Sequence, residues 1–336
     1  MEKVSPKEIV SGISQIGALP QTLAAILKVL NDPKTGARDI ADVISADISL
    51  TTLVLKMVNS AHYGRHRRVA RISEAVTVMG INSLKVLSLS SSVFSMMNRK
   101  ELAERHSIKR ICRHLIEVAA TGRRIAEESG CGDPEEAFVA GMLHDVGIVI
   151  MILYYQEKYF DLIANVNART HGILKAEKDV FGCTHCEVGE ELVESWKLPK
   201  KLAFVAGNHH NPDAARIIPE DAQLNDIIAL ADRITLGPFE EIQPNIEGNI
   251  EFVHTVSGRL SLNYDSLNSI RKESIVQSIK LAQYLELDAG DLIDILSDAN
   301  SKLADLYISL ERLYLEKQDL QKKLSSEPRR AEPAGI

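Results

Sequence analysis

Seven side chains carry most of the chemistry this sequence offers: His114, the neighbours His144 and Asp145, His185, the pair His209 and His210, and Asp232. All are nitrogen or carboxylate donors. Imidazole with carboxylate suits one or two ions of iron, manganese, zinc or nickel, and a carboxylate can be shared between two ions. Two ions about 3.5–4 Å apart are a general device for turning water against a phosphate ester. Taken singly, each histidine reads as a hydrogen-bonded core or surface residue. The set weighs more than its members. His144 and Asp145 stand in an otherwise apolar stretch, where two ionisable neighbours are costly to bury unless something pairs with them. These two are also the candidates for a catalytic part.

The elements that must position these donors read as helices. Leu23, Ile26, Leu27 and Leu30 follow the 3.6 period, stopped by Asn31-Asp32-Pro33. Ile40, Val43 and Ile44 form a short second face, and Leu53, Val54, Met57 and Val58 a third, over about 50–60. From Ile72 to Phe94 two helices meet at Gly80. A helix over about 108–129 carries His114 and buries Ile111, Leu115, Val118 and Ile125. Asp133-Pro134-Glu135-Glu136 then opens a helix with a cap, a first-position proline and an acid placed for a capping box. It is expected to run unbroken to about Tyr155, apolar on every side and therefore central. Thr184-His185-Cys186-Glu187 is a capping box that sets His185 in a first helical turn. A further helix ends at His209-His210, where Pro212 forces the exit, and one over about 221–236 carries Asp232. No sustained period-2 run appears, so the fold class is all-α.

The C-terminal part has a pattern of its own. Leu292, Leu296, Ala299, Leu303, Leu306, Leu310, Leu313, Lys317, Leu320 and Leu324 are spaced alternately four and three apart. Such a narrow stripe fits a coiled coil with a partner helix, hence a homodimer or a heteromer, better than a helix lying on its own body. Residues 325–336, rich in Pro, Arg and Glu, read as a disordered end.

Composition sets the outer bounds. The chain has 336 residues, 45% hydrophobic and 25% charged, which is ordinary for a globular protein. Its longest unbroken apolar run near the middle, Ile148 to Tyr155, is short of the about 20 residues of a membrane span. The first ten residues hold no apolar signal core, and four cysteines make no disulfide framework, so a cytoplasmic protein is expected. The net charge of -7 is unevenly divided: residues 1–130 hold 19 Lys+Arg against 12 Asp+Glu, leaving 20 against 34 for the rest. The basic excess is scattered except at Arg65-His66-Arg67-Arg68, a loop that is weak support for nucleic-acid binding. Cys183-x-x-Cys186 lacks the second pair that a structural zinc site needs.

Leu19-Pro20, Val43-Ile44-Ser45-Ala46-Asp47 and Leu55-Lys56-Met57-Val58-Asn59-Ser60-Ala61 open a run of motifs that continues through Ile72-Ser73-Glu74-Ala75-Val76 and Met79-Gly80-Ile81. Ala140-Gly141-Met142-Leu143-His144-Asp145-Val146-Gly147, Thr184-His185-Cys186-Glu187, His209-His210-Asn211-Pro212 and Leu230-Ala231-Asp232-Arg233 complete it. On these residues the chain resembles the HDOD family, the regulatory relatives of HD-domain metal phosphohydrolases. The resemblance covers about Ile16 to Asp232, and departs at Ile48, where the family usually has proline. It implies a helical bundle in two lobes, used in bacterial signalling. It implies lobes over 1–105 and 106–240, leaving a helical extension over 241–291, the coiled coil over 292–324 and the tail over 325–336.

The resemblance also places His114, His144, Asp145 and Asp232 where HD hydrolases hold a first metal. It places His185, His209 and His210 where cyclic-dinucleotide phosphodiesterases of the HD-GYP type hold further metal. Three departures count against that chemistry. Ile148 replaces a lysine, no Gly-Tyr-Pro follows His209-His210, and Arg110 stands where some of those enzymes offer a glutamate. The leading expectation is therefore a metal-holding signalling module acting through protein contacts. A metal-dependent phosphohydrolase acting on a nucleotide or cyclic dinucleotide is the alternative, and a nucleic-acid-binding regulator is the weaker third.

Overall fold

The structure is a computed structural model of the chain, and it describes residues 4–15, 36–46, 48–59, 69–80, 84, 106–165, 172–211, 219–235, 246–284 and 310–322. The described residues form helices and contain no strand. The helix expected over Leu23 to Leu30, the one after Gly80, the basic loop at Arg65 to Arg68 and most of the heptad run lie outside them.

Helix α1 (Pro6–Gln15) precedes a trio, α2 (Ala37–Ser45), α3 (Ile48–Val58) and α4 (Ile72–Met79), whose members contact one another. Ile44, Val54, Val58 and Ala75 are fully buried among them, as the periodicity predicts. Asn59 closes this unit. Its side-chain amide donates to the Leu55 and Val69 carbonyls at 2.7 Å each, and its carbonyl accepts from the Val69 amide at 2.7 Å. The asparagine of the Asn-Ser-Ala motif thus pins the chain where it re-enters after residues 60–68.

The long α5 (His106–Ser129) lies at the centre of the remaining helices and contacts α6 (Pro134–Leu143), α12 (Pro219–Ile234) and α14 (Tyr264–Tyr284). Gly141 on α6 faces the α5 backbone, and a Cβ there would overlap Ala119. This close approach brings His114 and His144 to one level. Beyond α6 come α7 (Val146–Tyr155), α8 (Glu157–Asn165), α9 (Gly172–Phe181), α10 (His185–Ser195) and α11 (Lys200–Asn208), with α13 (Ile246–Arg259) between α12 and α14. Helix α1 packs against α7 and α10, with Gly12 against the Tyr154 ring, so the N-terminal helix leans on the metal-donor lobe. A bidentate pair from Arg259 to Asp226, at 2.7 and 2.6 Å, ties α13 to α12.

Two local expectations are corrected. The helix expected to run unbroken to Tyr155 is divided at His144–Asp145. Asp145 leaves the helical region (φ -105, ψ 17), and its carbonyl accepts from the Ile148 amide at 3.0 Å in a tighter turn. Neither a proline nor a break in hydrophobicity marks this point. The capping box at Asp133 is incomplete: Asp133 accepts from the Glu135 amide at 2.9 Å, while Glu136 turns away to pair with Lys201. As a whole, Pro134–Tyr155 has the length and mean hydropathy (2.0) of a membrane span, but 89% of that window is buried inside the bundle. Its apolarity is that of a core helix.

Candidate metal centre

The break at Asp145 has a structural counterpart. Helix α7 starts directly against the first turn of α10, and a Cβ on Gly147 would overlap the His185 carbonyl oxygen. Only glycine permits this contact. The Thr184–Glu187 capping box forms as predicted, with the Glu187 amide donating to the Thr184 hydroxyl at 3.2 Å and the Thr184 amide to the Glu187 carboxylate at 2.7 Å. Asp145 and His185, forty residues apart, thereby face each other across a junction with no side chain between.

The seven expected donors converge. His114 Nε2 lies 3.1 Å from His144 Nε2, 3.5 Å from Asp145 Oδ2 and 3.2 Å from Asp232 Oδ1. His144 Nε2 lies 3.4 Å from Asp145 Oδ2 and 4.0 Å from Asp232 Oδ1. The other Asp145 oxygen, Oδ1, lies 3.3 Å from His185 Nε2 and 3.2 Å from His209 Nε2. His210 Nδ1 stands 3.4 Å from Asp232 Oδ2. Asp145 thus divides the donors into two groups and belongs to both. Ligands held about 2.0–2.2 Å from one ion stand roughly 3–3.6 Å from each other, which these separations match.

The donors also point the way ligands must. Asp145 Oδ1, His185 Nε2 and His209 Nε2 are buried and close together, yet none has a partner in hydrogen-bond geometry. Three buried polar atoms that converge without satisfying one another fit a cation. The far side of each ring fixes its tautomer. His144 Nδ1 donates to the Gly141 carbonyl at 2.7 Å, and His209 Nδ1 to those of Val205 and Ala206 at 3.2 Å. His185 Nδ1 donates to the Glu177 carboxylate at 2.8 Å. Each bond leaves Nε2 free to hold a metal. The residues therefore fit a divalent metal ion.

Electrostatics agree for four of the seven donors. Burial opposes ionisation of Asp145, but the His144 charge and the rings of His114, His144 and His185 around it hold it well below the usual carboxylate range. Asp232 is lowered too, against burial, chiefly by His114 and His210. Burial, joined by His144, lowers His209, and burial with His209 alongside lowers His210 further. Those two imidazoles are thus neutral and those two carboxylates ionised, the states metal binding requires. His114 and His185 behave differently: burial works against their protonation but is outweighed. Asp145 and Asp232 raise His114 to about 10, and Cys186, Glu177 and Asp145 raise His185 well above the usual imidazole range. There a proton competes with an ion.

Glu177, which the sequence reading did not single out, is fully buried on α9. It accepts from the His185 ring, from the His185 amide at 2.9 Å and from the Tyr159 hydroxyl. Cys186 also lies close, its sulfur within 4.8 Å of donor atoms of His185, His209 and His210. Burial raises the Cys186 thiol, so it remains a neutral neighbour. Ile148 is 2% exposed and belongs to the core, and Arg110 is half-buried one turn before His114.

An all-helical bundle with donors on α5, α12 and the ends of α6, α10 and α11 defines a protein of the HD type. The HDOD domain matches residues 16–212, more than half of the chain, and the chain belongs to that family. An uncharacterized protein of Treponema pallidum (strain Nichols) is 28% identical over 242 residues, which make up 70% of this chain and 46% of that one, so the chain spans about half the length of this relative. Among solved structures, an HDOD domain protein of unknown function from Geobacter sulfurreducens is 24% identical with a TM-score of 0.58, covering 79% of this chain and 92% of that one. A protein of Shewanella amazonensis SB2B, provisionally named a phosphohydrolase, is 21% identical with a TM-score of 0.59, covering 82% and 97%. These two likenesses bear on the fold.

Proposed function

We propose that this chain is a cytoplasmic regulatory module that holds one or two divalent ions in its buried His/Asp centre and acts through protein contacts. The observation that carries the reading is the enclosure of the centre. His114, His144, Asp145, His185 and His209 are at most 2% exposed, and only His210 and Asp232 face outward to any degree. Such a site suits holding an ion as a structural or sensing element. Ile148 stands one turn after Asp145, where HD-GYP enzymes carry a lysine, and it offers a phosphate no charge-assisted contact. None of the four cysteines is joined in a disulfide, which is consistent with a reducing compartment.

The alternative is a metal-dependent phosphohydrolase, favoured by the complete donor set and by the name of the Shewanella relative. A bound pair of ions would supply activation of water against a phosphate ester. In either reading the chain's own residues do the same work: Asp145 offers an oxygen to each donor group, backbone carbonyls and Glu177 fix the ring tautomers, and apolar helices keep water out. The test is metal analysis of protein purified without chelators, followed by turnover of nucleotides, cyclic dinucleotides and simple phosphoesters. Bound metal with absent or very slow turnover is expected. Robust hydrolysis that disappears in Asp145→Asn would replace this reading with the alternative.

A further inference from the structure

Residues 310–322 form a helix docked beside α13 and α14. Glu311 is 7% exposed and Leu315 half-buried, and with Asp319 they line a cavity shared with His254, Leu262 and Tyr264. The heptad positions are on the opposite side. At 100° per residue, Leu310, Leu313, Lys317 and Leu320 centre about 180° from Glu311, Leu315 and Asp319. Accordingly Leu310, Leu313 and Leu320 are 46%, 61% and 59% exposed. The helix turns Glu311, Leu315 and Asp319 to its own body and leaves Leu310, Leu313 and Leu320 in water. That is the reverse of what an amphipathic helix does when its own core is its only partner.

We propose that this seam is the interface with a second copy of the chain, as a parallel, in-register two-stranded coiled coil. The proposal rests on the reading that the protein acts through protein contacts, and is independent of the metal. Two features select this occupant. The first is extent: the described seam continues, in sequence, a spacing that begins at Leu292, and a strict two-in-seven stripe of that length fits one matching helix. The second is charge complementarity. With Leu310 and Lys317 at a positions and Leu313 and Leu320 at d, Glu316 falls at g and Gln321 at e. In a parallel pair, the g residue of one strand lies beside the following a residue of the other, so Lys317 meets Glu316 of the partner subunit. Glu316 is exposed, held by Arg312 at 3.1 Å on the same helix, and so is oriented at the seam's flank. The e–g contact sets Gln321 against the same glutamate, and the two flanking glutamates offset the one like-charged layer, where Lys317 faces its own counterpart.

The test is analytical ultracentrifugation of the full chain and its variants over a wide concentration range. Wild type is expected at twice the chain mass, and Leu313→Glu/Leu320→Glu at the chain mass. The helical circular dichroism and metal content of this variant should be unchanged, since both leucines are already mostly exposed. Lys317→Glu should weaken the dimer at least tenfold, by opposing two acids, and Glu316→Lys/Lys317→Glu should recover most of the loss. A monomeric wild type, or a dimer indifferent to the double leucine change, would overturn the interface. A double charge reversal as weak as Lys317→Glu would overturn the parallel register. None of these outcomes touches the metal reading, which has its own test.

Discussion

Asp145 and Glu177 have different claims on the centre. Asp145 presents one oxygen to each donor group, whereas Glu177 touches only His185 among the donors. Replacing Glu177 with Gln removes the charge that holds the His185 ring and gives the Tyr159 hydroxyl a weaker group to donate to. Loss of such a supporting group typically costs about 10–100-fold in metal affinity. Glu177→Gln is therefore expected to lose an ion from the His185/His209 group while the His114/His144 group keeps its own. Metal content after dialysis against graded chelator would read this as a fall towards one ion per chain; equal loss from both groups would contradict it. The histidines and aspartates were legible in the sequence because ionisable residues are conspicuous in apolar helices. Glu177 was not, because Lys175-Ala176-Glu177-Lys178-Asp179 has the composition of a solvated face. The available signal was its place on one stripe with Ile173 and Phe181, four residues away on either side. Asn59 was legible as part of a motif, while its task of clamping Val69 was not. Asn59→Ala should cost about 1–3 kcal/mol in a thermal or denaturant unfolding measurement, because the Val69 amide and two carbonyls lose their partner.

At the scale of elements, the helices and most of their ends follow from periodicity and capping chemistry. The turn at His144–Asp145 does not. It is imposed from outside, by the meeting of α7 with α10 at Gly147, and tertiary contact of that kind leaves no mark in a local pattern. Gly147→Ala should force the two helix starts apart, destabilise the fold by about 3 kcal/mol and reduce metal binding at His185. An alanine variant with unchanged melting and metal content would contradict this junction. The helix over 310–322 makes a prediction in pH. Burial raises the Glu311 carboxyl from its ordinary value of about 4.5 to about 7. The docked helix then holds more protons than the undocked one between those values, so docking is favoured below about 4.5 and weakens as pH rises through about 7. The groups around the cavity, His254, Asp265, Arg312, Glu316 and Asp319, titrate or carry charge as well, and Glu311→Gln isolates the one at issue. That variant should keep the 310–322 segment protected from hydrogen exchange above pH 7, where wild type loses protection. Equal protection in both would show that Glu311 does not govern docking.

For the molecule as a whole, the design is a helical scaffold that brings donors from five helices to one enclosed point. The sequence made the all-α class and the donor residues plain, since both rest on residue type and periodicity. How the donors divide into two groups around Asp145 depends on which oxygen faces which ring, and this needs three dimensions. If those donors hold metal, ions bind the folded chain and have no preformed site in the unfolded one, so they stabilise it by mass action. The most direct measurement is metal stoichiometry. Protein stripped of metal and offered iron, manganese, zinc or nickel in turn is weighed by elemental analysis beside Asp145→Asn, with the melting temperature followed in parallel. The expected result is up to two ions per wild-type chain with a raised melting temperature, and loss of most bound metal in Asp145→Asn, because that residue serves both groups. Less than one ion of any of these metals on wild type, or a full complement retained by Asp145→Asn, would contradict the account.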